Sequence, residues 1–543
     1  MPDAIFTIPP PYNEPIFNYA PGSPEKISLK TALADAKATQ KDIPMYIGGK
    51  HVFSEQKVSM HPPHERAHTL GHYSKGNAAH VTAAIEAALA AKPKWEAMAW
   101  EERAAIFLRA ADLLTGPYRA RMSAATMLCQ SKNAYQAEID CICELADFWR
   151  YNVHFMQEIY KQQPVSSRNT WNRTDWRPLE GFIFALTPFN FTAIAGNLPT
   201  APAMLGNVAV WKPAESQIYS AALIMDILEE AGLPAGVINL VYVDGPTVGD
   251  IVLKHPEFAG LHFTGSTGVF QKLWGTIGNN IANYKSYPRI VGETGGKDFV
   301  VAHSSADPKM VAVALGRGAF EYQGQKCSAA SRAYIAKSIW PEVERFLIAD
   351  LNEMKMGTTE DFTNFINAVI DERAFNKISA YIDAAKQSDK VSIIAGGGYN
   401  KSEGYFIEPT VLVTNDPTYT TMCEEIFGPV LTIYVYDDQD FEATLDLVDR
   451  TSPYALTGAF IARDREVIAM ANDRLRHSAG NYYINDKPTG AVVGQQPFGG
   501  GRASGTNDKA GSMINLYRWL SPRTMKENLV PPTDFKYPFL GAE

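Results

Sequence analysis

Short apolar runs alternate with amphipathic stretches along most of the chain. The runs at 181–188 (GFIFALTP), 207–213 (NVAVWKP) and 237–243 (VINLVYV) predict buried strands. Residues 220–231 and two stretches between Ala78 and Leu114 have the apolar spacing of helices. Because strands that alternate with helices are joined by crossovers, the pattern predicts parallel α/β sheets.

The pattern also divides the chain into regions. A second alternating region runs from 298 to 485, and a third helical run spans 136–151. The polar, tryptophan-rich segment 165–178 has no helical period and predicts a hairpin. The first 44 residues are proline-rich and then helical, and we call them the N-terminal arm. Two α/β regions without a flexible linker should enclose a ligand-binding cleft.

Composition and charge exclude several classes of protein. A chain of 543 residues is long enough for two or three domains. The net charge of −9 argues against a nucleic-acid binder, which needs clustered lysines and arginines. Five cysteines without a CxxC pair argue against disulfides or a metal site and favour a reducing compartment. The first residues lack the pattern of a signal or transit peptide, so we expect a cytoplasmic protein, with the mitochondrial matrix as the alternative.

Two residues have the chemistry of a nucleophile and a base. Cys327 follows an apolar helical stretch beside Lys326, which predicts a thiol at a helix start with enhanced thiolate character. A buried structural cysteine is the alternative. Glu293 ends a buried strand before Gly-Gly, where a desolvated carboxylate can act as a base. The alternative is a solvated turn.

Polar residues at three further strand ends can bind a ligand. Asn190 follows the first strand and can donate to an oxyanion, or can stabilise its own turn. Gly265 and Ser266 lie between a strand and a helix, where free backbone N–H groups can hold a pyrophosphate. Lys212 and Glu215 follow another strand and can bind ribose hydroxyls, although a surface ion pair is the simpler explanation.

These motifs, together with EEIFGPV (which contains Glu425 and Phe427), occur in an order that resembles the NAD(P)-dependent aldehyde dehydrogenase superfamily. The resemblance extends from about residue 45 to the C-terminus. It implies an α/β fold of the aldehyde dehydrogenase type, with a Rossmann-type NAD-binding domain, an α/β catalytic domain and a small β oligomerisation flap. The implied ranges are 1–160 and 179–307 for the NAD-binding domain, 308–490 for the catalytic domain, and 161–178 with 505–543 for the flap. In the flap, the hairpin at 165–178 would join a strand around 515–520.

Local sequence points to one branch of this superfamily. TPFNF, ETGGK, QKCSA and QQPFGGGRASGTNDKAG are similar to the branch that oxidises L-glutamate γ-semialdehyde to L-glutamate with NAD, a step of proline catabolism. The aldehyde is in equilibrium with Δ1-pyrroline-5-carboxylate. The resemblance implies that Cys327 is the nucleophile, Asn190 the oxyanion donor and Glu293 the base. The implied cofactor-binding residues are Lys212, Glu215, Gly265, Ser266, Glu425 and Phe427.

The resemblance also implies how the amino-acid end of the substrate binds. Its carboxylate would be held by four residues: Lys326, Ser328, and the backbone N–H groups of Gly490 and Ala491. Phe191 and Phe498 would enclose the aliphatic chain. Glu144 would face the ammonium group, or would simply pack within its helix. The family often has serine where this chain has Ala491, so that hydroxyl is missing here.

Cofactor choice and partners follow from charge and exposure. Glu215 would repel the ribose phosphate of NADP, which predicts a preference for NAD; use of both cofactors is the alternative if Lys212 offsets the repulsion. An exposed flap strand needs pairing, so we expect a homodimer or higher homo-oligomer. A separate proline dehydrogenase is a possible transient partner. One rival function is oxidation of another small aldehyde; a dicarboxylate substrate would favour an arginine-lined anchor, and none is evident at Gly490 and Ala491. The other is a non-catalytic structural role, and Cys327, Glu293 and Asn190 together argue against it.

Overall fold

The computed structural model describes residues 4–542, and two seven-stranded sheets form its frame. The strands, in chain order, are β1 (Lys41–Ile43), β2 (Met45–Ile47), β3 (Lys50–Val52), β4 (Lys57–Met60), β5 (Gly71–Ser74), β6 (Thr170–Pro178), β7 (Phe182–Leu186), β8 (Ala209–Lys212), β9 (Ile238–Leu240), β10 (Phe258–Thr264), β11 (Arg289–Glu293), β12 (Asp298–Ala302), β13 (Ala330–Ala336), β14 (Val391–Ala395), β15 (Tyr399–Asn400), β16 (Phe406–Ile407), β17 (Thr410–Thr414), β18 (Val430–Tyr436), β19 (Tyr454–Ala455), β20 (Thr457–Ile461), β21 (Asn481–Ile484), β22 (Gly501–Arg502) and β23 (Leu520–Asn528).

Helices cover the faces of these sheets. They are α1 (Pro24–Ala38), α2 (Ala78–Ala97), α3 (Trp100–Thr115), α4 (Arg119–Gln130), α5 (Ala134–Ala137), α6 (Glu144–Tyr160), α7 (Thr192–Met204), α8 (Ile218–Ala231), α9 (Gly245–Val252), α10 (Thr267–Asn279), α11 (Pro308–Phe320), α12 (Trp340–Glu353), α13 (Glu372–Lys386), α14 (Thr420–Cys423), α15 (Phe441–Arg450), α16 (Arg465–Arg474) and α17 (Met513–Tyr517). A π-helical turn, Glu138–Cys143, joins α5 to α6. Within residues 4–542, no helix combines the length and apolarity needed to cross a membrane.

The first sheet has the strand order of a dinucleotide-binding fold. Its order is β11-β10-β7-β8-β9-β2-β3, and the five strands from β11 to β9 are parallel. The chain therefore reverses its direction of winding between β7 and β10. In open α/β sheets, ligands bind beside the carboxyl ends of the strands at such a switch point. The predicted strands at 181–188, 207–213 and 237–243 are confirmed as β7, β8 and β9.

The second sheet follows the order β14-β17-β18-β13-β12-β20-β21, parallel except at β14. Its first strand, β12, lies within the range 179–307, yet it pairs with β13 and β20 of this sheet. Each sheet has its own apolar core. The carboxyl end of β21 leads into the loop that contains Gly490, so the second sheet positions part of the predicted substrate site.

The flap differs from the prediction in two places. The expected hairpin at 165–178 is wrong, because only Thr170–Pro178 is extended and its partner is β23, from the other end of the chain. The expected strand at 515–520 is also wrong: α17 covers Met513–Tyr517, and the strand begins at Leu520. Ser512 explains this shift, because its hydroxyl accepts from the Ile514 N–H and caps a short helix.

Capping residues define several helix starts. Asn77 accepts from the Ala79 N–H and forms a capping box at the start of α2. Asp307 accepts from two backbone N–H groups of α11, and proline occupies the first turn of that helix. Helix α4 has no clear signal in the sequence. This helix is buried on nearly all sides, so its apolar residues form no single stripe.

Candidate active site

A cavity of about 390 Å³ lies between loops that belong to the two seven-stranded sheets. Eight of the predicted residues line it: Glu144, Phe191, Lys326, Cys327, Ser328, Gly490, Ala491 and Phe498. They come from the start of α6, the segment before α7, the segment before β13 and the loop after β21. The structure thus brings together every residue that was assigned to substrate binding, with the predicted nucleophile among them.

Cys327 occupies a turn three residues before β13, so the prediction of a helix start is wrong. Helix α11 ends at Phe320, and Tyr322 and Gln323 then adopt the left-handed backbone region, with φ of 51° and 54°. The Gln323 amide holds this backbone: it donates to the Ser131 and Ala368 carbonyls and accepts from the Asn367 N–H. Residues 321–329 thus form a fixed loop with the Cys327 thiol at the cavity, and we call it the nucleophile loop after the role predicted for that thiol.

The surroundings of Cys327 disfavour its thiolate. Burial raises the pKa of the thiol well above its usual range, and the carboxylates of Asp298, Glu293 and Glu425 raise it further. Without the helix terminus that the sequence suggested, these surroundings favour the neutral thiol of Cys327 over its thiolate. Its activation therefore needs a proton acceptor.

Asn190 lies directly beside the nucleophile loop. It is 4% exposed, and its Nδ2 donates to the Gln325 carbonyl at 3.0 Å. An amide Nδ2 has two hydrogens, so this bond fixes the group and leaves a second N–H for another acceptor. The segment between β7 and α7 therefore holds an oriented donor next to Cys327.

Glu293 is the last residue of β11, as predicted, and its side chain is half-buried, with Oε2 enclosed. Burial raises the pKa of Glu293 well above its usual range, and nearby Lys509 opposes this effect. Its Oε2 is buried without a hydrogen-bond partner in the described chain. A buried, unpartnered carboxylate oxygen costs free energy that a bound water or ligand can recover.

The two glycines after Glu293 allow a close approach of three segments. A Cβ on Gly295 would lie 2.6 Å from a carboxylate oxygen of Glu425, and one on Gly296 would collide with the Cys327 carbonyl. The Gly296 N–H donates to Glu425 Oε1 at 2.9 Å. The segment after Glu293 therefore contacts both Glu425 and the backbone of Cys327, so the three residues lie close together.

The predicted cofactor residues lie at the carboxyl ends of parallel strands. Lys212 ends β8 and lines a small recess with Glu215, and burial lowers the pKa of Lys212. Gly265 follows β10, and Ser266 is the N-cap of the 13-residue α10 without a side-chain bond to that helix. A free hydroxyl beside unpaired N–H groups at a helix start suits a phosphate. These features fit a dinucleotide that extends from β8 towards Cys327.

Glu425 and Phe427 lie where that dinucleotide would end. Phe427 has φ of 61°, and its ring packs edge-on against Phe189, whose neighbour is Asn190. Through its bond to Gly296, Glu425 adjoins the Cys327 loop. The predicted catalytic and cofactor residues therefore meet at this junction.

A charged cluster forms one wall of the cavity. Lys326 Nζ lies 3.7 Å from carboxylate oxygens of both Asp140 and Glu321, and Lys132 Nζ lies 2.6 Å from Asp140. Burial, and then the neighbouring Asp140, raise the pKa of Glu144 well above its usual range. A cation bound beside Glu144 would favour its carboxylate form, which agrees with a role towards an ammonium group.

Several residues of this cavity were not predicted from the sequence. Asn13, Glu14 and Ile16 of the N-terminal arm line it, although nothing in the arm's sequence indicates a site. Thr489 also lines the cavity, and its hydroxyl is 2.9 Å from that of Ser328. That bond joins the nucleophile loop to the loop containing Gly490 and Ala491.

Comparisons with known proteins agree with this geometry. A relative from Dictyostelium discoideum, "Delta-1-pyrroline-5-carboxylate dehydrogenase, mitochondrial", is 51% identical over 98% of this chain and 96% of its own length. The crystal structure of the Delta-pyrroline-5-carboxylate dehydrogenase from Mycobacterium tuberculosis bound with NAD superposes with a TM-score of 0.96, at 54% identity over 99% of this chain and 100% of that chain. The 1-pyrroline-5-carboxylate dehydrogenase from Thermus with bound NAD gives 0.90, at 31% identity over 96% and 100%. The profile described as "Aldehyde dehydrogenase family" matches residues 52–524, and the chain belongs to that family.

Proposed function

We propose that this protein oxidises L-glutamate γ-semialdehyde, the open form of Δ1-pyrroline-5-carboxylate, to L-glutamate with NAD. One observation carries the proposal: a single cavity holds the thiol of Cys327, the Gly490–Ala491 backbone and the carboxyl group of Glu144. Such a site offers a nucleophile for an aldehyde, donors for a carboxylate and a counter-charge for an ammonium group. The named activity of the relatives from three organisms supports the same substrate.

The backbone at Gly490 supports the proposed carboxylate site. Gly490 has φ of 97°, a conformation that favours glycine, and within the described chain neither its N–H nor that of Ala491 has a protein acceptor. Ser328 adds a hydroxyl beside them. Two free N–H groups and a hydroxyl can together bind one carboxylate.

The proposed mechanism follows from the positions of three residues. The Cys327 thiol first gives its proton to water in the cavity. Its sulfur then adds to the aldehyde carbon, and the carbonyl oxygen becomes an oxyanion held by Asn190 Nδ2 and the Cys327 N–H. Bound NAD supplies an acceptor for the hydride that leaves this carbon, which turns the adduct into a thioester. Glu293 then takes a proton from water, and the resulting hydroxide releases glutamate and the Cys327 thiol.

The direct test is NADH formation at 340 nm with Δ1-pyrroline-5-carboxylate, beside succinate semialdehyde and propanal. We expect a kcat/KM for the pyrroline substrate that exceeds the other two by about 10² or more, because only this substrate fills both the carboxylate and ammonium sites. Comparable values for all three aldehydes would overturn the assigned substrate. No activity on any of them would favour the structural role.

Glu215 is the proposed determinant of the preference for NAD. Replacing Glu215 with alanine should lower the ratio of kcat/KM with NAD to that with NADP by about tenfold, because the repulsion of the extra phosphate is lost. Steady-state kinetics with both cofactors measure this ratio. Glu342→Ala, an exposed change on α12, is the matched control. An unchanged ratio in Glu215→Ala would remove Glu215 from cofactor selection.

The flap supports a proposed homodimer or higher homo-oligomer. Strands β6 and β23 form a two-stranded ribbon of nine residue pairs, and within residues 4–542 no third strand joins it. Side chains of Gln163 and Ser166 bond to the outer edge of β6, so the outer edge of β23 is the more open one. Pairing with a second copy would cover such an edge.

For the NAD-binding domain, the catalytic domain and the flap, we propose the ranges given in the sequence analysis with one change. The boundary between the NAD-binding and catalytic domains lies before Asp298, because β12 belongs to the second sheet. A separate proline dehydrogenase is the proposed transient supplier of the pyrroline.

The proposed compartment is a reducing one. All five cysteines are free thiols in the structure, three of them buried. We assign the cytoplasm, while the names of several relatives place those proteins in mitochondria. Fractionation of cells that express the full chain distinguishes the two.

A further inference from the structure

The N-terminal arm reaches the cavity through Asn13. The side chain of Asn13 uses both ends of its amide: Nδ2 donates to Asp147 Oδ2 and to the Val493 carbonyl, each at 2.8 Å. Its Oδ1 accepts from Gln495 Nε2 at 2.9 Å and from the Tyr151 hydroxyl at 3.3 Å. One arm residue therefore joins helix α6 to the loop after β21.

That loop, residues 487–496, has few other attachments, and we call it the anchor loop. Residues 494–496 are exposed, and the bond from Val492 N–H to Gln496 Oε1 lies within the loop itself. Thr489 is bonded to Ser328 on the side of the nucleophile. On the far side of Gly490 and Ala491, Asn13 supplies the hydrogen bonds that tie the loop to the rest of the protein, and Val493 adds a contact with the apolar core of the first sheet.

The loop is also pressed against α6. Gly494 has φ of 82°, and a Cβ there would collide with the Tyr151 ring. Asn13 bonds to Tyr151 as well as to the loop, so it sets the separation between the loop and the helix. The backbone N–H groups of Gly490 and Ala491 can bind a carboxylate only while this separation is kept.

The arm itself is held by other residues. Glu14 accepts from Arg119 at 2.7 Å and from Arg150 at 2.8 Å, and its N–H donates to Asp147. The Tyr19 hydroxyl donates to Glu138 at 2.6 Å. Removing the Asn13 amide would therefore loosen the anchor loop between its contacts at Thr489 and Val493, while the arm stays in place.

We propose that Asn13 is a positioning residue of the active site, which fixes the anchor loop so that its backbone N–H groups select a substrate with a carboxylate. The inference rests on the proposed function for the identity of the substrate. The arm then acts as part of the specificity site, in addition to packing against α6.

The test compares Asn13→Ala with wild type. We expect the KM for Δ1-pyrroline-5-carboxylate to rise about tenfold, the effect of losing one to two net hydrogen bonds, while kcat changes less than threefold. The kcat/KM for propanal, which has no carboxylate, and the KM for NAD should both change less than threefold. Asn18→Ala, an exposed change on the same arm, is the matched control and should leave every constant within twofold.

Two further measurements separate positioning from general stabilisation. Hydrogen exchange of peptides covering residues 487–496 should accelerate in Asn13→Ala, whereas exchange within α6 stays as in wild type. Gln495→Ala should give a smaller rise in KM, and the double variant less than the product of the two single effects, because the two side chains share a bond.

Two results would overturn the inference: a KM for the pyrroline substrate within twofold of wild type together with unchanged exchange in the anchor loop, or equal losses with pyrroline and propanal. A wild-type protein that is inactive on the pyrroline substrate would instead overturn the proposed function. The exchange of residues 487–496 would still decide the role of Asn13.

Discussion

Replacing Cys327 with alanine should abolish aldehyde oxidation, with a fall in kcat of about 10⁴-fold or more. Without the sulfur, no nucleophile adds to the aldehyde carbon. That carbon then never becomes the tetrahedral centre from which a hydride can leave. NADH formation with Δ1-pyrroline-5-carboxylate measures the loss. NAD binding, followed by fluorescence, should stay within about twofold, because the cofactor residues at the ends of β8 and β10 are unchanged.

The matched control is Cys423→Ser. Cys423 is the other thiol that is not fully buried, and its sulfur lies 3.5 Å from the Thr418 carbonyl, away from the cavity lining. A hydroxyl can make the same bond, so we expect activity within about twofold of wild type. Aldehyde oxidation that survives in Cys327→Ala would refute the covalent mechanism. Loss of aldehyde oxidation in Cys423→Ser would show that Cys423 is also essential and would contradict the assignment of Cys327 as the nucleophile.

The parts of the site that sequence predicted lie at the ends of regular strands. Asn190, Lys212, Ser266 and Glu293 each follow or end an apolar run that is short enough to be one strand. In a parallel sheet, the carboxyl ends lie at one edge, so local pattern alone brings these residues together. The family resemblance added their roles.

The features that could not be predicted from the sequence depend on contacts between distant parts of the chain. Asn13 is 134 residues from Asp147 and 480 residues from Val493. The local spacing of apolar residues cannot predict contacts over such distances in sequence. The flap strands β6 and β23 pair across more than 340 residues. The predicted helix start at Cys327 is wrong because Tyr322 and Gln323 adopt the left-handed conformation. Distant residues fix this conformation, not local sequence: Gln323 donates to the Ser131 and Ala368 carbonyls and accepts from the Asn367 N–H.

The raised pKa values of Cys327 and Glu293 predict how the attack on the aldehyde and the activation of water each depend on pH. Burial raises the pKa of both Cys327 and Glu293, so at neutral pH each tends towards its protonated form. Cys327 must lose its proton to attack, and Glu293 must be ionised to activate water. Each step therefore becomes faster as pH rises through the raised pKa of its own group.

Replacing Glu293 with glutamine should lower steady-state turnover by about 10²–10⁴-fold while the first turnover survives. Glutamine keeps the shape of the side chain and cannot take a proton from water, so the thioester on Cys327 accumulates. Rapid mixing should show a burst of about one NADH per Cys327, followed by a slow phase. In wild type the slow phase should speed up with rising pH through the raised pKa of Glu293, and in Glu293→Gln this dependence should disappear.

Glu342→Gln, an exposed change on α12, is the control for the loss of one carboxylate and should behave as wild type. Loss of the burst together with the slow phase would place Glu293 in the attack of Cys327, where its proximity to the thiol would make it the acceptor of that proton. Unchanged steady-state turnover would assign the water-activating role to another group. The second outcome would leave the buried, unpartnered Oε2 of Glu293 without a chemical reason, since burial of that oxygen costs stability that only a bound water or ligand recovers.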